Sequence, residues 1–328
     1  MNKRKQLVIA LVVLGVLIVA ALLVRRDPFE KGRNVDYLDL IAYRPAESID
    51  RIAVTNKEGS VTAEKRSDGW WIIEPRQLPA DDNQLKNAAA LLEIIVVVDT
   101  ASKKPERQAE YGLAKDSAER IEVKAFAAGN EVLNFAAGKH TPDGQGTFIV
   151  LTKDPNTVYV ISKPLPPILN SGIMEWRSRV ALDLPRETIE RIQVVNNKGV
   201  LDLEKESGDT WRKKNDPDWQ ADNVRFGQVI GAFNRLTWVE VLDQPDPTVD
   251  YGFKTPQAKV TATAGGKDNV VIFGKDVEGS TGNCWLKVEN DPKVYQVRKA
   301  ILDRFTRDFD YYKGEPPKPD LQEPKEEN

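Results

Sequence analysis

The chain has little of what most active sites are built from: one cysteine, Cys284, and one histidine, His140, among 328 residues. A lone thiol excludes an intramolecular disulfide and any cysteine-based metal site within one chain. A lone imidazole excludes a multi-histidine metal centre. His140 lies in Gly138-Lys139-His140-Thr141-Pro142 and reads as a solvated loop residue. Cys284, between Asn283 and Trp285 in a strand-like stretch, reads as a buried thiol, since a nucleophilic cysteine needs an activating base beside it. An excess of positive charge is also lacking. The formal charge is -3, and since Lys3, Arg4, Lys5, Arg25 and Arg26 give residues 1–26 a charge of +5, the remainder carries -8. An acidic body excludes nucleic acid as the expected partner, because phosphate binding needs a concentrated basic surface.

Long apolar runs are scarce too. With 41% apolar and 30% charged residues the composition is that of a water-exposed body rather than a polytopic membrane protein. The one exception is Leu7 to Val24, 18 consecutive residues drawn from Leu, Val, Ile, Ala and Gly between basic flanks. As a helix rising about 1.5 Å per residue, such a run is just long enough for a bilayer core of roughly 30 Å. The apolar stretch continues into Arg25-Arg26 without a polar cleavage region, so it reads as an uncleaved transmembrane anchor in contact with lipid. Three basic residues precede it, which places the amino terminus inside. In a bacterium the body then stands on the periplasmic face of the inner membrane.

What the chain does have is the same text twice. Glu47-Ser-Ile-Asp-Arg-Ile-Ala-Val54 returns as Glu187-Thr-Ile-Glu-Arg-Ile-Gln-Val194, aligning Ile52 with Ile192. At the same shift of 140, Trp71 aligns with Trp211 and Tyr111-Gly112-Leu113 with Tyr251-Gly252-Phe253. Asp81 and Asp222 each precede an apolar 3-and-4 spacing, so each is expected to cap an amphipathic helix. Adjacent Asp81-Asp82 could imitate a catalytic carboxylate pair, but capping explains an Asp at that place. Strand-like alternation recurs around these helices, at 120–126, 132–135, 147–151 and 158–161 and again at 258–263, 270–273, 284–288 and 294–297. Gly144-Gln145-Gly146 and Gly279-Ser280-Thr281-Gly282 fit hairpin turns and lack the lysine of a phosphate loop. The predicted organisation is a stub and anchor at 1–26, a juxtamembrane stalk at 27–46, repeat domains at 47–180 and 181–312, and a Pro-rich disordered tail at 313–328. The predicted class is α+β, with two mainly antiparallel β-rich repeats each carrying one amphipathic helix.

The matched stretches Ile49 to Val54, Trp71 to Asp81 and Tyr111 to Leu113, with their copies, resemble a bacterial envelope family of unknown biochemical function. Its members have an amino-terminal membrane helix followed by tandem β-rich domains. The resemblance covers essentially residues 7–310, and its motifs are fold-determining positions rather than chemistry. Members are typically encoded beside gliding-motility-type ABC transport systems, which implies an accessory role and a permease or other envelope protein as partner. The second repeat departs from the pattern in Trp219-Gln220, where the first has Leu78-Pro79, and in Gly227 and Gly231 within its helix. Positions that recur belong to the fold, whereas Trp219 and Trp238 do not recur and are the candidates for partner binding. The expectation is a non-catalytic, cofactor-free scaffold of a transport assembly, with an envelope glycan- or ligand-binding module as the alternative.

Overall fold

The computed structural model describes residues 40–314. The expected anchor from Leu7 to Val24, most of the stalk and nearly all of the tail lie outside these residues. The chain divides into two compact units between Ser178 and Arg179, against a repeat boundary of 180/181.

In the first unit, β1 (Arg51–Asn56), β2 (Gly59–Arg66), β3 (Gly69–Glu74) and the two-residue β4 (Leu78–Pro79) form a meander leading into helix α1 (Asp82–Ile94). After it come β5 (Val97–Ser102), β6 (Ile121–Ala127), β7 (Asn130–His140), β8 (Thr147–Leu151) and β9 (Asp154–Ile161). They make one nine-stranded sheet in the order β4-β3-β2-β1-β6-β7-β8-β9-β5. Every pairing in it is antiparallel. Alternating burial along β1 and β6 shows why these segments are strands: Ile52, Val54, Val123 and Ala125 face the core and their neighbours face outward. Leu85, Ala88, Ala89 and Leu92 of α1 are buried in the same core.

The second unit repeats this design. Its strands are β10 (Val180–Leu182), β11 (Ile189–Asn196), β12 (Gly199–Ser207), β13 (Thr210–Lys213) and β14 (Asp216–Gln220), followed by helix α2 (Asn223–Asn234). Then come β15 (Leu236–Thr237), β16 (Glu240–Leu242), β17 (Ala258–Ala264), β18 (Lys267–Asp276), β19 (Asn283–Val288) and β20 (Val294–Arg298). The large sheet runs β14-β13-β12-β11-β17-β18-β19-β20-β16, and β10 pairs separately with β15. Strand for strand, this order is that of the first unit.

One expectation is corrected. The α+β class gives way to a mainly antiparallel β architecture: two nine-stranded sheets outweigh one helix of 13 residues and one of 12. The helices are where their caps predict, but each covers a large sheet instead of sharing a layer. Further, no helix among the described residues is long and apolar enough to cross a membrane.

The described end of the stalk belongs to the first unit. Ile41 is buried in its core, and buried Arg44 donates to the carbonyls of Ala42 and Leu92, the latter in the last turn of α1. A guanidinium there satisfies one carbonyl that the helix leaves open. Burial pulls the Arg44 pKa below its ordinary value.

Candidate functional site

The Tyr-Gly corners pack on the sheet face opposite the helices. Leu113 is buried with Ala136, Val150 and Val158, side chains that point away from the main core, and Tyr111 rests on Phe148 at 4.7 Å between ring centres. In the second unit Tyr251 meets Trp285 at 5.0 Å. Gly112 and Gly252 have φ of 71° and 81°, a left-handed conformation that favours glycine. The sheet approaches so closely that a Cβ on Gly138 would lie 2.2 Å from the Tyr111 carbonyl oxygen, and one on Gly274 2.0 Å from that of Tyr251. Each corner is thereby seated on a glycine just before the end of its long strand.

Beyond that glycine, in the first unit, lies a cavity of about 610 Å³ whose lining includes Lys57, Glu119, Lys139, His140, Thr147 and Leu165. Lys139 pairs with Glu119 at 3.6 Å. His140 closes β7, with its Nδ1 3.2 Å from the Thr147 hydroxyl, and that hydroxyl donates to the Lys163 carbonyl at 3.2 Å. Which of His140 Nδ1 and the Thr147 hydroxyl donates to the other is set by the imidazole tautomer.

The paired registers His140↔Thr147 and Asp276↔Cys284 show what occupies this place in the second unit. There Lys299 pairs with Asp276, and Gln257 donates to the same carboxylate at 3.1 Å. These two bonds, Lys299 first, hold the Asp276 carboxyl below the usual carboxylate range. Burial, reinforced by Asp276, pushes the Cys284 thiol up to about 12. A thiol so placed stays protonated at neutral pH. The same fold position thus carries imidazole and hydroxyl in one unit and carboxylate and thiol in the other.

Residues 70–256 match the family described as a domain of unknown function, DUF4340. The chain belongs to this family. The DUF4340 match begins at Trp70 in β3 and ends at Pro256, just before β17, so it takes in parts of both units rather than one repeat. Comparison with curated proteins and with solved structures gives no match.

Within this DUF4340 chain the residues singled out from sequence fall as follows. Ile52 and Ile192 are fully buried in equivalent strands. Asp81 accepts from the amides of Asn83 and Gln84, both at 3.1 Å, and Asp222 from those of Val224 and Arg225 at 2.9 and 2.8 Å. Asp82 is a cross-tie rather than half of a catalytic pair. It accepts from the Trp70 amide at 2.6 Å and pairs with Lys86 at 2.9 Å. Burial opposes its ionisation, but these partners hold its pKa below the ordinary value.

The tryptophans need correction. Lys65 faces Trp70 across β2–β3, and Lys205 faces Trp211 across β12–β13, so the counterpart of Trp211 is Trp70 and not Trp71. A bulge between Lys205 and Ser207 adds one residue and moves the shift from 140 to 141. Trp70 and Trp211 are core residues, whereas Trp71 is half-exposed, donates to Asp68 at 3.0 Å and lies under the Arg66 guanidinium. At the shift of 141, Trp219 stands where the first unit has Leu78 and Trp238 where it has Val97, and all four are buried. Both tryptophans belong to the core of the second unit, so neither offers an exposed indole face.

Sequence reasoning missed two features. One is the sheet edge at β5, where Ile94, Val96 and Val98 are 54%, 38% and 49% exposed. The other is a set of arginines far apart in sequence that surround a second cavity.

Proposed function

We propose that this DUF4340 protein is a non-catalytic partner-binding element of the bacterial envelope, tethered through the apolar run Leu7 to Val24 with its body on the periplasmic side, and accessory to an ABC-type transport assembly. The observation that carries the binding reading is the β5 edge of the first unit. An outer strand flanked by exposed Ile94, Val96 and Val98 leaves main-chain donors and acceptors beside uncovered apolar surface. Edges of that kind take an added strand or an apolar partner surface. In the second unit the equivalent positions are Arg235, Thr237 and Val239, so the valine recurs while the fold does without apolar side chains at the places of Ile94 and Val96. The assignment to a gliding-motility-type transporter comes from the resemblance described above and from the anchor-like run.

Copurification of the full chain from native membranes tests this reading. An ATPase subunit and a permease are expected in stoichiometric yield with the natural protein and are lost with Ile94→Asp/Val98→Asp. Failure to recover either subunit with the natural protein overturns the transport assignment; recovery unchanged in the variant overturns the β5 surface. A second reading, an envelope ligand-binding module, draws on a different place, the arginine-lined cavity of the second unit.

A further inference from the structure

The second unit has a cavity of about 560 Å³ lined by Arg179, Arg235, Arg298 and Arg304, with Trp238 and Ile301 among the apolar groups between them. Its lining contains no carboxylate, and none of the four guanidiniums forms an ion pair with one among the described residues. The arginines come from four places: the start of the unit, the end of α2, the end of β20 and the turn after it. Two are held in position. Arg179 lies 6.0 Å from the centre of the Trp238 ring, and Arg304 donates to the Gln228 carbonyl at 3.3 Å.

A single arginine here has an ordinary explanation. Arg235 follows the last turn of α2, where a cation complements the helix dipole. Four guanidiniums around one opening repel one another, and dipole complementarity explains only one of them. The first unit supplies the control. It builds the same helix-to-strand junction with Ile94 in place of Arg235 and Ser162 in place of Arg298, so folding does not demand the charges. They stand in a body that is otherwise acidic, which makes their convergence still less a matter of composition.

We infer that this cavity is a binding site for a small organic phosphate, held by arginine forks around an apolar floor. Guanidinium groups match phosphate oxygens in paired, charge-assisted hydrogen bonds. The volume falls within the roughly 300–1,000 Å³ of small-molecule pockets and well above what a bare ion fills. Exposed Val239, with Ile301, gives the organic part of the ligand a surface to lie on. The site uses only residues of the second unit and is independent of the transport reading.

Calorimetric titration of the full chain with pyrophosphate and with a bisphosphorylated hexose tests it, alongside sedimentation with phosphatidylglycerol and with phosphatidylcholine vesicles. The expected result is saturable binding of the soluble phosphates that weakens with salt and falls roughly tenfold per guanidinium removed in Arg235→Gln/Arg298→Gln. Lys57→Gln/Lys139→Gln, in the first unit, should bind as the natural protein does. Binding confined to phosphatidylglycerol vesicles, and lost in the arginine variant, would keep the site and identify its phosphate as a lipid headgroup. If the glutamine variant does not fold, Arg235→Lys/Arg298→Lys retains charge and loses the fork, and weakened binding is again expected. No saturable binding to any probe, or equal binding by the arginine variants, overturns the proposal. So does an equal loss in the lysine control, since the effect would then be general electrostatics.

Discussion

At the scale of single residues, the two units solve one problem differently. Arg51 reaches directly across to Glu64, giving Nε and Nη2 bonds of 3.1 and 2.8 Å to one oxygen. Arg191 instead grips both oxygens of Asp202, at 2.7 and 2.5 Å, and Gln193 adds a third bond at 3.1 Å. The Arg191 bonds, aided by Gln193 and opposed by burial, hold the Asp202 carboxyl below its ordinary value. Since the unfolded chain then takes up a proton more readily than the folded one, this contribution is complete above the unfolded value of about 3.9 and disappears as pH falls through the lower folded value. Asp202→Asn should therefore lower stability by about 1 kcal/mol at pH 7. The gap from the natural protein should shrink below roughly pH 4. Urea midpoints at pH 7 and in the acid range decide it, and a gap that stays constant down to acid unfolding contradicts the pairing.

At the scale of elements, the helix starts are the most legible part of the sequence, because one residue type at one position does a definable job. Asp81 and Asp222 each satisfy two amides that open a helix. Replacing either by Ala should cost about 1 kcal/mol, and by Asn much less, because the amide oxygen still accepts. Chemical denaturation of the four variants checks this; an Asn loss as large as the Ala loss would show that charge, not capping, is at stake. Strand registers were less legible. The bulge beside Glu206 adds one residue without altering the polar and apolar alternation, so the alignment at a shift of 140 places Trp211 opposite the wrong tryptophan. The same slip hid the equivalence of Trp238 with Val97, and a Leu at the place of Trp219 was itself a sign that this indole is in the core. The two-residue β4 and β15 are too short for any periodicity to register. The arginine cavity was invisible for another reason: residues 179, 235, 298 and 304 meet only through the order of strands in the sheet.

At the scale of the whole molecule, duplication has produced two complete interiors rather than one shared one. The first core draws on residues from Ile41 to Trp176 and the second on residues from Leu184 to Tyr312. Each contains its own helix face and its own sheet, so each has the means to stay folded when the other is weakened. Leu85→Ala, at a fully buried position of α1, should cost 2 to 5 kcal/mol, roughly the range for emptying such a site, and Phe226→Ala in α2 about 3 to 5. Losses of that size are a large fraction of what holds a domain folded, so each variant should separate the unfolding of the two units. Hydrogen exchange read peptide by peptide locates the effect. Leu85→Ala should accelerate exchange across β1 to β9 and leave β11 to β14 and β17 to β20 protected, and Phe226→Ala should do the reverse. If either variant loosens both sheets together, the units form one cooperative block, and the independence of the two cores is refuted. Independent cores also explain how the copies could diverge at matching places, with an apolar edge at Ile94 and Val96 in one and Arg235 of a guanidinium cluster in the other, while the strand order stayed fixed. A change at either surface is answered within its own unit and leaves the other interior as it was.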